Sequence, residues 1–132
     1  MVDRDPESFF EWQYDDVLKT CQEKGFRFLL SNPNFEFWLL MHFDDVLNLD
    51  KDKIQQNEKI NKNSKSSIRF IQNELRKILG KYKKNNFDAG LLVRKIDIAI
   101  KNEKEFVEDI NELKTKIGSN IGLLVEELRA IE

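Results

Sequence analysis

Ser31-Asn32-Pro33-Asn34-Phe35-Glu36-Phe37-Trp38-Leu39-Leu40-Met41-His42-Phe43 is the stretch that decides the fold. From Phe35 to Phe43 only Glu36 and His42 interrupt an apolar run. A helix of this kind is hydrophobic all round and belongs inside the protein. Asn32 followed by Pro33 reads as a helix opening, a cap and then a residue whose missing N–H is no loss at a helix start. Just upstream, Phe26-Arg27-Phe28-Leu29-Leu30 is short, apolar and bounded by Gly25 and by the Ser31-Asn32-Pro33 turn, which predicts a buried strand over 26–30. A strand that feeds a buried helix through a polar turn is α/β geometry, and such proteins place ligands at the carboxyl ends of their strands. Glu36 falls in the first helical turn, where the helix dipole favours a carboxylate. It either stabilises that start or contributes to an acidic site beside it. His42 has two readings as well, a satisfied core histidine or a site residue. The chain's lone histidine cannot build a multi-histidine metal site.

Upstream of the strand, Asp5-Pro6 predicts a helix with Asp5 as its cap, an apolar face of Phe10, Tyr14, Val17, Leu18 and Cys21, and a left-handed stop at Gly25. Downstream, 51–66 is rich in Lys, Asn, Gln and Ser and reads as an exposed basic connection, with room for some frayed helix. Ser67 then opens a helix carrying Ile68, Ile71, Leu75, Ile78 and Leu79 that stops at Gly80. After the basic turn Lys81–Asn86, a long helical stretch begins near Asp88. Leu92, Ile96, Ala99 and Ile100 lie on one face, and Phe106, Ile110, Leu113 and Ile117 continue the pattern. Gly118-Ser119-Asn120 breaks it, and Ile121–Ile131 is a last amphipathic helix. The expectation is a mostly helical α/β domain with one clear strand and about five helices.

With 132 residues the chain suits one small domain. No apolar run approaches the ~20 residues of a membrane span, the acidic, proline-broken start is unlike a signal peptide, and one cysteine permits no internal disulfide. A cytoplasmic protein without membrane association is the expectation. The net charge of −2 conceals a strong asymmetry. Residues 1–50 hold 4 Lys/Arg against 11 Asp/Glu, a net of −7; residues 51–84 hold 11 against 3, a net of +8; residues 85–132 hold 7 against 10, a net of −3. A basic middle either attracts phosphate or is a solvated lysine-rich surface.

Asp3-Arg4-Asp5 places two carboxylates two residues apart. In a loop beyond a strand both can turn toward one Mg²⁺, which takes one or two carboxylates together with waters and substrate phosphates. The plainer role of Asp5 is that of helix cap.

The 31–43 string resembles the signature of RloB-like proteins: a serine-asparagine-proline turn, phenylalanine-glutamate, and an aromatic-leucine run ending in histidine-phenylalanine. Val2-Asp3-Arg4-Asp5 resembles the aspartate-x-aspartate that precedes it in that family and in Toprim domains. Tyr82-Lys83-Lys84, Ile98-Ala99-Ile100-Lys101-Asn102, and Gly118-Ser119-Asn120 followed by Leu123–Leu128 resemble further family segments. The resemblance implies a Toprim-like α/β fold and a metal-dependent phosphodiesterase, a nuclease-type subunit of bacterial anti-phage defence (abortive infection) acting with a partner ATPase. By that analogy Asp3 and Asp5 hold Mg²⁺, and Asp3, Asp5, Glu36 and His42 are the catalytic candidates. The family's upstream strand and glutamate-glycine turn have no counterpart here. The expectation is a truncated member, inactive or nearly so as a nuclease. Its parts would be a Toprim-like core remnant over 1–50, the connection over 51–66 and a C-terminal helical part over 67–132. With few neighbours, the 26–30 strand would pair with Met1-Val2-Asp3 or, as a homodimer through its open edge, with a second copy.

Two other functions remain open. One is a nucleic-acid-binding module in which Lys51, Lys53, Lys59, Lys62, Lys65, Lys81, Lys83 and Lys84 contact phosphates. The other is a helical partner-binding module.

Overall fold

A computed structural model of the chain describes residues 2–4, 9–60, 68–80, 82–83 and 86–131. Asp5, Pro6, Lys62, Lys65, Ser67, Lys81 and Lys84 lie outside these residues, so the metal ligand and phosphate contacts expected of them do too. The helices that Asp5 and Ser67 were expected to cap begin instead after Phe10 and after Arg69. The described chain is a mostly helical α/β structure. Strand β1 (Val2–Asp3) is followed by α1 (Glu11–Lys24), β2 (Leu30–Asn32), α2 (Phe35–Leu40), a 3-10 turn over Asp44–Asn48, α3 (Lys51–Gln56), α4 (Phe70–Leu79), α5 (Ala89–Arg94), α6 (Ile96–Glu103), β3 (Gly118–Ser119) and α7 (Ile121–Ile131). These seven α-helices among the described residues exceed the five expected. The extra ones come from α3 and from a break at Lys95 that splits α5 from α6.

The sheet has the order β1-β2-β3. β1 runs parallel to β2 with Val2 opposite Leu30 and Asp3 opposite Ser31, and β3 runs antiparallel to β2 with Ser119 opposite Ser31 and Gly118 opposite Asn32. The predicted strand is therefore displaced toward the C-terminus and shares only Leu30 with the 26–30 span. Side-chain bonding explains the shift. Asn120 accepts the Leu30 N–H through Oδ1 (2.9 Å) and donates its amide to the Phe28 carbonyl (2.9 Å), so a side chain takes the place of a ladder there. Val2-Asp3 is the partner foreseen on one edge, and β3 occupies the other. Both edges of β2 are thus occupied within the chain.

Two apolar clusters flank this sheet. Around α2 gather Phe37, Leu39, Leu40 and Met41 with Ile54 of α3, Ile71 and Leu75 of α4, Leu92 of α5, Ala99 of α6 and Tyr82. Every residue from Glu36 to Phe43 is buried, as an all-round apolar helix requires. The second cluster joins Tyr14, Val17, Leu18 and Cys21 of α1 to Phe28, Leu30, Ile110 and Leu113. Phe9, not Phe10, completes that face. Phe10 sits at the N-cap position of α1 and is half exposed, its N–H bonded to Gln13 Oε1 (2.8 Å).

Three further differences have polar causes. Asn34, not Asn32, caps α2 by accepting the Phe37 N–H (3.2 Å). Asn32 instead donates to the carbonyls of Leu113 (2.8 Å) and Lys116 (2.9 Å). Those bonds hold 104–117 as a chain of turns where a continued helix was expected, because Phe106 packs on Phe37 in one cluster while Ile110 and Leu113 enter the other. Over 51–57 the "exposed connection" is a seated helix. Asp50 caps it, Ile54 is fully buried, and the buried Asn57 turns the chain in a left-handed conformation (φ 43°) while accepting the Ile71 N–H (3.0 Å).

The buried Asn102 donates its amide to the carbonyls of Met41 (2.9 Å) and Phe43 (3.4 Å), tying α6 to the end of α2. Asn102→Ala removes the donor to the Met41 carbonyl, while the Phe43 carbonyl keeps the Val46 N–H (3.2 Å), and a loss of about 2 kcal/mol in urea unfolding is expected. A change below about 0.5 kcal/mol would show that water satisfies the Met41 carbonyl instead.

Candidate functional site

The parallel pair β1 and β2 ends at one place. Asp3 terminates β1, and β2 runs through the Asn32–Pro33 peptide, which is cis, into α2. The half-buried Asp3 turns its Oδ1 to the first turn of α2 and accepts the Phe35 N–H at 2.7 Å. A carboxylate is favoured there both by the unpaired N–H groups and by the helix dipole. Glu36 follows directly and is buried, 3% exposed. Its carboxylate takes a hydrogen bond from the Tyr82 hydroxyl, which is itself buried. Burial first, then the Glu36 and Asp3 carboxylates, push the Tyr82 phenol upward from its ordinary value. The hydroxyl therefore stays protonated as a fixed donor.

This arrangement brings Asp3 and Glu36 together with the Tyr82 hydroxyl. Tyr82 packs its ring against Phe87 (ring centroids 5.5 Å apart) and immediately precedes the exposed Lys83 in the chain. Sequence reading assigned Tyr82 to the basic tripeptide without a site role. An aromatic residue inside a lysine run was the available signal. Asp3, Ser31 and Ser119 stand in register across the sheet and so share a face. Ser31 Oγ in that row is buried and has no hydrogen-bond partner among the described residues.

Arg4, between the two aspartates, points into the structure. Its guanidinium donates to the Lys114 carbonyl (2.9 Å) and packs over the Tyr14 ring (5.2 Å to the centroid). His42 is buried at the other end of α2, roughly 9 Å along the axis from Glu36 at 1.5 Å per residue. Its Nδ1 lies 3.0 Å from the Trp38 carbonyl and 3.1 Å from that of Leu39, with its ring edge-on to Trp38. Burial lowers its pKa. These contacts are those of a core histidine and do not bring it to the carboxylates.

The carboxylate oxygens of Asp3 and Glu36 are hard donors of the type Mg²⁺ takes, one or two at a time, with waters and phosphate oxygens completing its shell. Among the described residues no group of three or more His, Cys, Asp or Glu side chains is placed to hold a metal. A Mg²⁺ ion here would draw on two of these carboxylates at most, with Asp3 the more accessible ligand.

Lys51, Lys53, Lys59 and Lys83 are exposed. Lys51 lies over the Phe106 ring (5.8 Å), while Lys53 and Lys59 line a cleft between α3 and α4. No described helix is long and apolar enough to cross a membrane. No curated protein and no solved structure matches the chain. A family model described as RloB-like protein does, over residues 1–128. That match takes in β1, the buried α2 with its acidic start, the Tyr82 turn and most of α7, and the chain belongs to the RloB-like protein family.

Proposed function

We propose that the chain is a Toprim-type, Mg²⁺-dependent phosphodiester-cleaving subunit that serves bacterial anti-phage defence together with a partner ATPase. One observation carries the chemical part. Asp3 and Glu36 meet at the carboxyl ends of two parallel strands, and the buried Tyr82 bonds Glu36 one residue before the exposed Lys83. The carboxylates suit a divalent cation, and the lysines suit the phosphates it would act on. Asp3 would hold the ion, with Glu36 behind it and Asp5 as a further ligand. When bound, Mg²⁺ supplies charge stabilisation at a phosphate oxygen. Tyr82 keeps the Glu36 carboxylate oriented by its hydroxyl. Lys83 draws the phosphodiester toward the site. The defence role and the ATPase partner rest on the family resemblance.

A Mn²⁺ titration followed by electron paramagnetic resonance tests the reading, in parallel with metal-dependent cleavage of single- and double-stranded DNA and RNA. Asp3→Asn can still accept the Phe35 N–H, so the fold is kept while one anionic ligand is lost. At least tenfold weaker Mn²⁺ binding is expected. Unchanged Mn²⁺ affinity in Asp3→Asn would sink the metal assignment. Salt-sensitive nucleic-acid binding with no metal uptake would favour the non-catalytic binding module.

A further inference from the structure

Between α3 and α4, away from the carboxylates, lies a cleft of about 200 Å³ lined by Lys53, Gln56, Glu58, Lys59, Ile60 and Phe70. Its walls are set by the fold. Lys53 and Gln56 are three residues apart on one face of α3, and α3 is seated by the buried Ile54. Asn57 then reverses the chain. The Phe70 N–H donates to the Glu58 carbonyl (2.9 Å) and the Ile60 N–H to the Ile68 carbonyl (2.9 Å), so 58–60 and 68–70 run side by side. Phe70 opens α4 half-buried against the main cluster, and Ile60 is 51% exposed. Among the described residues neither Lys53 nor Lys59 has an ion-pair partner. The lining therefore combines two lysines without ion-pair partners, an aromatic and an aliphatic side chain and one amide, and the lysines outnumber the single carboxylate of Glu58.

We infer that this cleft binds one unstacked nucleotide of a single-stranded nucleic acid. The base lies against Phe70 and Ile60, the Gln56 amide meets a base edge, and Lys53 and Lys59 hold the flanking phosphates. A flat apolar wall beside two cations is the combination that single-strand binding uses. The cleft's size suits a single base rather than a helix or an extended peptide. It lies in the 51–84 segment of the sequence, which carries a net charge of +8. This site rests on the nucleic-acid part of the function proposed above and is independent of the metal.

The test is fluorescence anisotropy of the full chain with a labelled oligothymidylate of about eight nucleotides, a length within the usual span of a small single-strand site. It is run without divalent metal over a range of salt. Lys53→Gln with Lys59→Gln should weaken binding at least tenfold and reduce the log–log salt slope by about 1.4, two phosphates at ~0.7 each. Phe70→Leu should weaken it roughly five- to a hundredfold, the cost of one lost stack. The lysines are exposed, so their variants keep the fold. A thermal melt of Phe70→Leu identifies any loss that comes from unfolding, and Gln56→Ala offers a second cleft variant, expected to weaken binding two- to fivefold. Loss in the lysine pair and in either Phe70→Leu or Gln56→Ala supports the site. Binding that needs the lysines but ignores both Phe70 and Gln56 overturns it in favour of general surface attraction. Equal competition by polyglutamate overturns it in favour of an acidic protein partner, and so does failure of the wild-type chain to bind the oligonucleotide. Asp3→Asn separates the two functional readings. If it keeps oligonucleotide binding while metal uptake or cleavage is absent, the cleft stands and the phosphodiesterase reading falls. If metal-dependent cleavage occurs with no role for the cleft residues, the reverse holds.

Discussion

Gly118→Ala is expected to destabilise the protein by on the order of 4 kcal/mol, enough to unfold much of a marginal domain at 25 °C. A Cβ at Gly118 would stand 2.0 Å from the Val107 carbonyl oxygen, 2.8 Å from its carbon and 2.9 Å from its nitrogen. All three are backbone atoms, so no side-chain rotation relieves the clash. The crossing cannot open without loss, since the Val107 N–H donates to the Ile117 carbonyl (3.3 Å) and the Ser119 N–H donates to the Val107 carbonyl (3.1 Å). Displacing Gly118 also breaks its pairing with Asn32 and strains the Asn120 bonds that stand in for a ladder at 28–30. Gly90→Ala is the control. A methyl there meets only side-chain atoms at 3.4 Å and 3.6 Å within α5, and a gain of up to about 1 kcal/mol is expected from helix propensity. Equilibrium urea unfolding of both variants decides the matter. A Gly118→Ala protein within 1 kcal/mol of wild type would mean that the 107/118 crossing is not part of the folded state.

The second large effect centres on Glu103, which is fully buried at the end of α6. Its two oxygens accept the N–H groups of Gly122 (2.9 Å) and Leu123 (3.0 Å), so it caps α7 from another helix. The glycine at 122 permits that approach, because a Cβ there would come within 2.8 Å of Glu103 Oε2 and 3.2 Å of the Trp38 ring. Glu103→Ala strands two amides and opens a cavity, and a loss of about 3 kcal/mol or more is expected. Burial, then the hydrogen bond shared with Glu108, push the Glu103 carboxyl up to about 8 from an ordinary 4.5, against the Gly122 amide and Ser119, which pull it down. Lys104 borders the pair and bonds Glu126.

Between pH 4.5 and 8 the folded chain therefore holds a proton that the unfolded chain has released, so stability must fall as pH rises. The contribution is complete below about 4.5 and gone once pH has passed through 8, where the buried Glu103 carboxyl has lost its proton. Glu103→Gln keeps one acceptor and cannot titrate. Its unfolding free energy should lose that slope across pH 5–8 while wild type retains it. Parallel slopes in the two proteins would locate the titration elsewhere.

Much of this fold was legible in the residues. The all-round apolar run 35–43 could only be a buried helix, and it became the centre of the main cluster. Ile71, Leu75 and the Gly80 stop define α4, and Asp88 does cap a helix, accepting the Leu91 N–H at 3.0 Å. These features depend on side-chain period and on local capping, which neighbours along the chain specify. Asp3 and Glu36 could be named for their charge beside a strand end, and Val2-Asp3 as the strand's partner.

The errors arose where one local pattern served two distant purposes. Phe106, Ile110, Leu113 and Ile117 keep helical spacing, yet they divide between two clusters, and a straight helix could not reach both. Asn32 looked like a cap because its bonds to the carbonyls of Leu113 and Lys116 span more than 80 positions. The lysine-rich 51–57 hid one buried isoleucine and one buried asparagine, each placed by contacts with α4.

By itself, then, the sequence determined the family, the α/β class, the buried α2 and the acidic residues at its start. Those are set by composition, spacing and motif over a dozen residues or fewer. Only the tertiary structure decided that Tyr82 bonds Glu36, that Glu103 caps α7, that β3 closes the sheet and that Lys53, Lys59 and Phe70 share a cleft. Each of these joins groups brought together by burial of surface elsewhere, and a buried polar group takes whichever partner the packed core puts within reach.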